Sequence, residues 1–160
     1  MTTSPQQRPL KRRLQARAMG LANVPMRRIL AAPFPTPLGN RLMLATITGR
    51  RTGRIYRQPV SYVEHGNVLL TPGGGRWTLN LIDAPAVPIR LRGRDIVARP
   101  ELVSDPEEVQ QLLALIAAAN PGAKAFIAIP TDVHGRFDEA QLQAAIGQGF
   151  RIVRWHPEQT

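Results

Sequence analysis

Four arginines, Arg50, Arg51, Arg54 and Arg57, crowd into eight residues, and Gly49 and Gly53 bracket the first two. Glycine supplies the positive-φ geometry of a tight turn between strands, but such a turn has no need of the charge. Like charges this close repel, whereas guanidinium groups bind phosphate or carboxylate oxygens through paired N–H donors. Backbone N–H groups of a Gly-rich turn form an anion-holding concavity, and Thr52 adds a hydroxyl. Capture of an anionic ligand fits this pattern, and an exposed basic hairpin without a ligand is the plain alternative. A second cluster, Thr71-Pro72-Gly73-Gly74-Gly75-Arg76-Trp77, joins a strand to a short helix. Bare glycine backbone lets a flat ligand approach, and a helix N-terminus favours an anion. Trp77 either stacks on a ring or fills the core.

Other chemistries are excluded by what the chain lacks. There is no cysteine among the 160 residues, hence no disulfide, thiolate ligand or cysteine nucleophile. His65, His134 and His156 are too far apart in sequence for a metal-ligand pattern, so no metal is expected. Asp83 has no carboxylate partner at acid–base spacing. Residues 1–63 hold twelve Lys or Arg and no Asp or Glu, while the remainder holds nine basic and eleven acidic residues. The net charge of +10 therefore sits on one half and calls for an anionic partner. Nucleic acid is not expected, because aromatics are only 5% of residues and are not interleaved with the basic turn.

The elements that must position these residues follow from periodicity. Residues 1–8 are polar and aperiodic, the mark of a disordered tail. Residues 9–37 form a basic N-terminal segment: Leu10, Leu14, Ala18 and Leu21 recur at helical spacing, Pro25 breaks the helix, and Pro33–Pro37 is a stiff, non-helical linker. Its helix either lies on an anionic membrane surface or packs on the domain that follows, 38–160. Strands are predicted over 41–48, 54–64, 68–71, 87–91, 95–102 and 150–155, with Tyr56 and Tyr62 on one face of the second. A helix runs from a Ser104 or Asp105 cap to Ala119 and another over 138–146. Six or so antiparallel strands with few helices imply a closed or half-closed barrel, mainly β in an α+β context. No apolar run reaches the roughly 20 residues of a membrane span and no signal peptide is evident, so a cytoplasmic protein is expected, with peripheral membrane contact left open.

The two motifs together resemble the deazaflavin-dependent nitroreductase family, within the split β-barrel flavin and deazaflavin oxidoreductases. Thr48-Gly49-Arg50-Arg51-Thr52-Gly53 is similar to that family's basic turn, and Trp77, Asn80, Leu81 and Pro85 keep the spacing of its Trp-x-x-Asn-Leu segment, with Pro59 and a Gly-Gly between them. The resemblance covers roughly residues 42–103. It implies an FMN-binding-like split β-barrel with an N-terminal helix. It also implies hydride transfer from reduced coenzyme F-420 to an organic acceptor, whether nitro compound, quinone or enone. Arg50, Arg51 and Thr52 would hold the phosphate side of the cofactor, and Thr71, Gly73, Gly74, Gly75, Trp77 and Asn80 would border its ring. Tyr56 stands where the family has an arginine, leaving Arg54 and Arg57 beside Pro59 as substitutes. The loop between Gly75 and Trp77 is short, and no tyrosine follows Tyr62, whereas relatives that reduce nitro compounds or quinones use late tyrosines. The proton donor is Tyr56, Tyr62, Ser61 or solvent. FMN, or no cofactor at all, is the alternative ligand state. The alternative function is a non-enzymatic barrel binding a lipid, haem, tetrapyrrole or flavin. The partners expected are an anionic ring cofactor and a small organic acceptor, with the protein a monomer or homodimer.

Overall fold

The computed structural model describes residues 25–33, 35–73, 76–127 and 129–159. The expected tail, the basic helix as far as residue 24, and both Gly74 and Gly75 lie outside the described residues. Among those residues, seven strands pair antiparallel: β1 (Leu42–Thr48), β2 (Ile55–Ser61), β3 (Val63–His65), β4 (Val68–Gly73), β5 (Val87–Leu91), β6 (Arg94–Val103) and β7 (Arg151–Pro157). Their order across the sheet is β2-β1-β5-β6-β7-β4-β3. The two edges, β2 and β3, are consecutive in the chain and joined by Tyr62 alone. In a flat sheet the edges would stand about 29 Å apart, and one residue spans about 3.5 Å. The sheet must therefore curl until its edges meet, giving the mainly β half-barrel with flanking helices that the pattern implied.

The single strand expected over 54–64 is divided at Tyr62. Its N–H donates to Arg41 O (3.1 Å), its hydroxyl donates to Gly39 O (2.6 Å), and Arg92 Nε donates to the same hydroxyl (3.1 Å). These bonds replace ladder partners, so the chain leaves β1 and pairs next with β4. Tyr56 and Tyr62 thus sit on different segments, although both pack on the barrel interior. Burial pushes the Tyr62 hydroxyl above its ordinary pKa, with Arg92 pulling the other way. A second difference is Pro37, which opens a 3-10 turn (Pro37–Asn40) rather than closing a linker. The fixed φ of proline suits a first helical position, and Thr36 caps the turn.

Two apolar clusters lie on the two faces of the curled sheet. Met43, Ala45, Ile47, Leu69, Val153 and Trp155 fill the barrel. Leu70 and Ile152, their neighbours in sequence, point outward to α1 (Pro106–Ala119) and α2 (Glu139–Gly147) with Val109, Leu113, Ile116 and Leu142. The α1 boundary follows the predicted cap: Asp105 accepts from the Glu108 N–H (3.0 Å), Pro106 leads the first turn, and Asn120 closes the helix. Residues 25–30 are helical and bury Leu30, and Ala31 beyond them lies with Leu44 on the outside of β1. No helix among the described residues is long and apolar enough to cross a membrane.

An ionic clamp ties β6, β7 and α1. The Arg154 fork reaches Glu101 (2.9 Å) and Glu108 (2.6 Å), and His156 Nε2 lies 2.7 Å from Glu101 Oε2. The hydrogen bond to His156, and next the one to Arg154, hold the Glu101 carboxyl below the ordinary glutamate range. A depressed folded-state pKa gives stability that is present above the unfolded value of about 4.3 and is lost as pH falls through the folded one. Acid melts should therefore show the wild type losing more stability below pH 4 than Glu101→Gln does. Glu101 is half exposed, so the difference is small. Parallel acid profiles would remove the clamp from the pH response.

Candidate functional site

The turn between β1 and β2 is built by its own short bonds. Gly49 N–H donates to Arg54 O (2.7 Å), Gly53 N–H donates to Gly49 O (2.8 Å), and Arg54 N–H donates to Thr52 Oγ1 (3.2 Å). Gly53 has φ +67°, a region that disfavours side chains. A Cβ at position 49 would stand 2.9 Å from Thr52 Oγ1, so that glycine clears room for the hydroxyl. Arg50, Arg51, Thr52 and Arg54 are exposed on this frame. Among the described residues none of the four turn arginines has an ion-pair partner. The cationic patch is thus uncompensated by the protein's own carboxylates.

Asn80 brings the second motif to this turn. It lies in the 3-10 helix Arg76–Leu81 that follows β4. The Arg50 N–H donates to Asn80 Oδ1 (2.8 Å), and Asn80 Nδ2 donates to the Tyr56 hydroxyl (2.7 Å). One side chain thereby joins the basic turn, the start of β2 and the Trp77 segment. The helix is set against β4 at Gly73, where a Cβ would stand 2.6 Å from Thr78 Cγ2 and 3.4 Å from Trp77 Cζ2. Trp77 is half-buried and packs on the barrel cluster.

A cleft of about 410 Å³ opens beside Asn80, with Thr46, Thr48 and Arg50 on one wall and Ile82, Pro85 and Val87 on the other. It exists because β1 pairs with β5 only through Leu44↔Arg90 and Ala45↔Ile89. Beyond that pair the two strands separate and their backbones leave a gap. The lining has hydroxyls and a guanidinium but no carboxylate or imidazole. Among the described residues no group of three or more His, Cys, Asp or Glu could hold a metal ion.

Several residues singled out from sequence stand elsewhere. Arg57 is on the face of β2 opposite to Tyr56 and lines a small cavity with Ala31, Leu44 and Arg90. Pro59 pairs with Leu44 and Ser61 with Leu42, about 13 Å and 20 Å down the strand from the turn. Tyr62 is buried at that far end, its hydroxyl committed to Gly39 and Arg92. Thr71 is 1% exposed and accepts from Trp155 Nε1 (3.0 Å), which makes it a core residue. Sequence reasoning missed the Asn80–Tyr56 bond and the 82–88 wall of the cleft. Pro85, already part of the second motif, is the one residue of that wall the motif contains and the signal that could have found it.

A family model described as F420H2-dependent quinone reductase matches residues 23–132. No curated protein matches the chain by sequence. A candidate 5-nitroimidazole antibiotic resistance protein from Bacteroides thetaiotaomicron has a similar structure, with TM-score 0.52, 15% identity and 76% of each chain covered. So has Atu2129 from Agrobacterium tumefaciens, described as of unknown function, with TM-score 0.53 and 15% identity. That match covers 74% of this chain and 49% of the Agrobacterium protein, so this chain spans about half of that relative. A structure described as an F420-H2 dependent reductase has TM-score 0.48 and 15% identity over 72% of this chain and 93% of its own.

Proposed function

The chain belongs to the F420H2-dependent quinone reductase family, and from that membership we propose that it holds reduced coenzyme F-420 at the Arg50–Asn80 junction and delivers its hydride to a quinone-like acceptor. As an oxidoreductase it leaves the hard chemistry to its cofactor: when bound, the deazaflavin supplies the hydride. The protein's part is binding, orientation and exclusion of water.

The observation that carries this reading is the Arg50 N–H to Asn80 Oδ1 bond, which locks the basic turn against the Trp77 segment. The donor set fits an anionic, ring-bearing cofactor. Unpaired guanidinium groups and the Thr52 hydroxyl suit a phosphate and carboxylate tail, and half-buried Trp77 offers a flat apolar surface for a ring. The cleft lining has no carboxylate or imidazole to protonate an acceptor, which favours solvent as the source of the accompanying proton. Two-electron reduction of a quinone needs only that hydride and proton.

Titration of the purified protein with oxidised coenzyme F-420, followed by deazaflavin fluorescence, tests the reading. Micromolar binding is expected, and it should weaken several-fold between low and moderately raised salt, because the contacts are exposed and ionic. FMN and haem titrated alongside should bind more weakly. An absence of deazaflavin binding, or tighter binding of haem, would end the proposal.

A further inference from the structure

The hydrogen-bond polarity around Asn80 has a consequence for Tyr56. A backbone N–H can only donate, so the atom of Asn80 that meets Arg50 must be the carbonyl oxygen, Oδ1. The amide nitrogen is then turned to Tyr56, and because an amide N–H₂ can only donate, the Tyr56 oxygen must accept. The phenolic proton remains available. No acceptor for it occurs among the described residues, and the ring is only half-buried. Along the bonded chain the hydroxyl lies within about 8 Å of the Arg50 amide, close enough to serve the same bound anion.

We propose that Tyr56 is a ligand-binding residue that donates its O–H to the anionic end of the cofactor, with Asn80 setting its direction. The inference rests on the reading that coenzyme F-420 is bound here. It adds a neutral donor of fixed direction to a patch of exposed guanidinium groups and the Thr52 hydroxyl, and neutral donors contribute specificity with little salt dependence. Tyr62, the other tyrosine, has no such capacity, since its proton is committed to Gly39 O.

Tyr56→Phe keeps the ring against the barrel and removes only the donor. Two probes are titrated by deazaflavin fluorescence: coenzyme F-420, and the same deazaflavin lacking the phosphate and acidic tail. About a tenfold rise in Kd is expected for coenzyme F-420, with less than a twofold change for the tail-less compound. The dependence of affinity on salt should stay as steep as in the wild type, because the arginines are untouched. Equal weakening of both probes, no weakening of either, or a flattened salt dependence would overturn the proposal, the last by showing that Tyr56 acts only through the arginine turn. A wild type that binds no coenzyme F-420 removes the cofactor reading and this inference with it. A wild type that binds and a variant that matches it removes the inference alone.

Discussion

Trp155→Ala is expected to cost about 3–5 kcal/mol of stability, the range for removing a large aromatic from a tight core. Trp155 is fully buried in the barrel, opposite Leu69 on β4 and Pro100 on β6. Its ring fills the space the curled sheet encloses, and its Nε1 donates to Thr71 Oγ1 (3.0 Å). The substitution leaves a cavity and a buried threonine hydroxyl without its donor. For a chain of this size the thermal midpoint should drop on the order of 10 °C, measured by circular dichroism melts. Trp155→Phe separates the two contributions, since it keeps most of the volume and loses the N–H, at about 1–2 kcal/mol. A loss below 1 kcal/mol for the alanine variant would mean that the barrel collapses around the gap, and that the enclosed core is less tightly packed than its burial implies.

This core shows where sequence reading succeeds and where it stops. Local chemistry was legible: Asp105-Pro106-Glu107 as a helix start, Gly49 and Gly53 as a hairpin turn, and His65-Gly66-Asn67 as another. Each depends on backbone preferences within a few residues. The break at Tyr62 leaves only a faint mark, the adjacent apolar pair Tyr62-Val63 that shifts the alternation, and no glycine or proline stands there to signal a turn. Only the curl of the whole sheet makes a single residue there carry the chain between opposite edges. The burial of Thr71 is not legible for a related reason. Its partner is 84 residues away, and a threonine at the end of a strand beside glycines shows no core role until β7 is laid against β4. For the site, the sequence offers two motifs and the structure brings them together, but the atom that joins them, Asn80 Oδ1, belongs to a contact across 30 residues.

Strand geometry also separates arginines that composition treats alike, and that separation can be measured. Arg50→Ala with Arg51→Ala removes two exposed cations of the turn, one of them on the residue whose backbone bonds Asn80. A charge-assisted hydrogen bond contributes about 1.5–3 kcal/mol, and exposure places these near the lower end. Two lost together should raise the Kd for coenzyme F-420 by about 100-fold at low salt. Arg57→Ala deletes the same charge three residues beyond Arg54, yet the side chain is on the opposite face of β2 with Leu44 and Arg90. That variant should shift the Kd less than about twofold, the residue of long-range attraction after screening. Comparable losses in both variants would mean that the ligand responds to net charge rather than to the turn. A selective loss in the double variant would tie recognition to the turn built by Gly49, Thr52 and Asn80, which carries Arg50 and Arg51, while the pleat of β2 sets Arg57 on the opposite face.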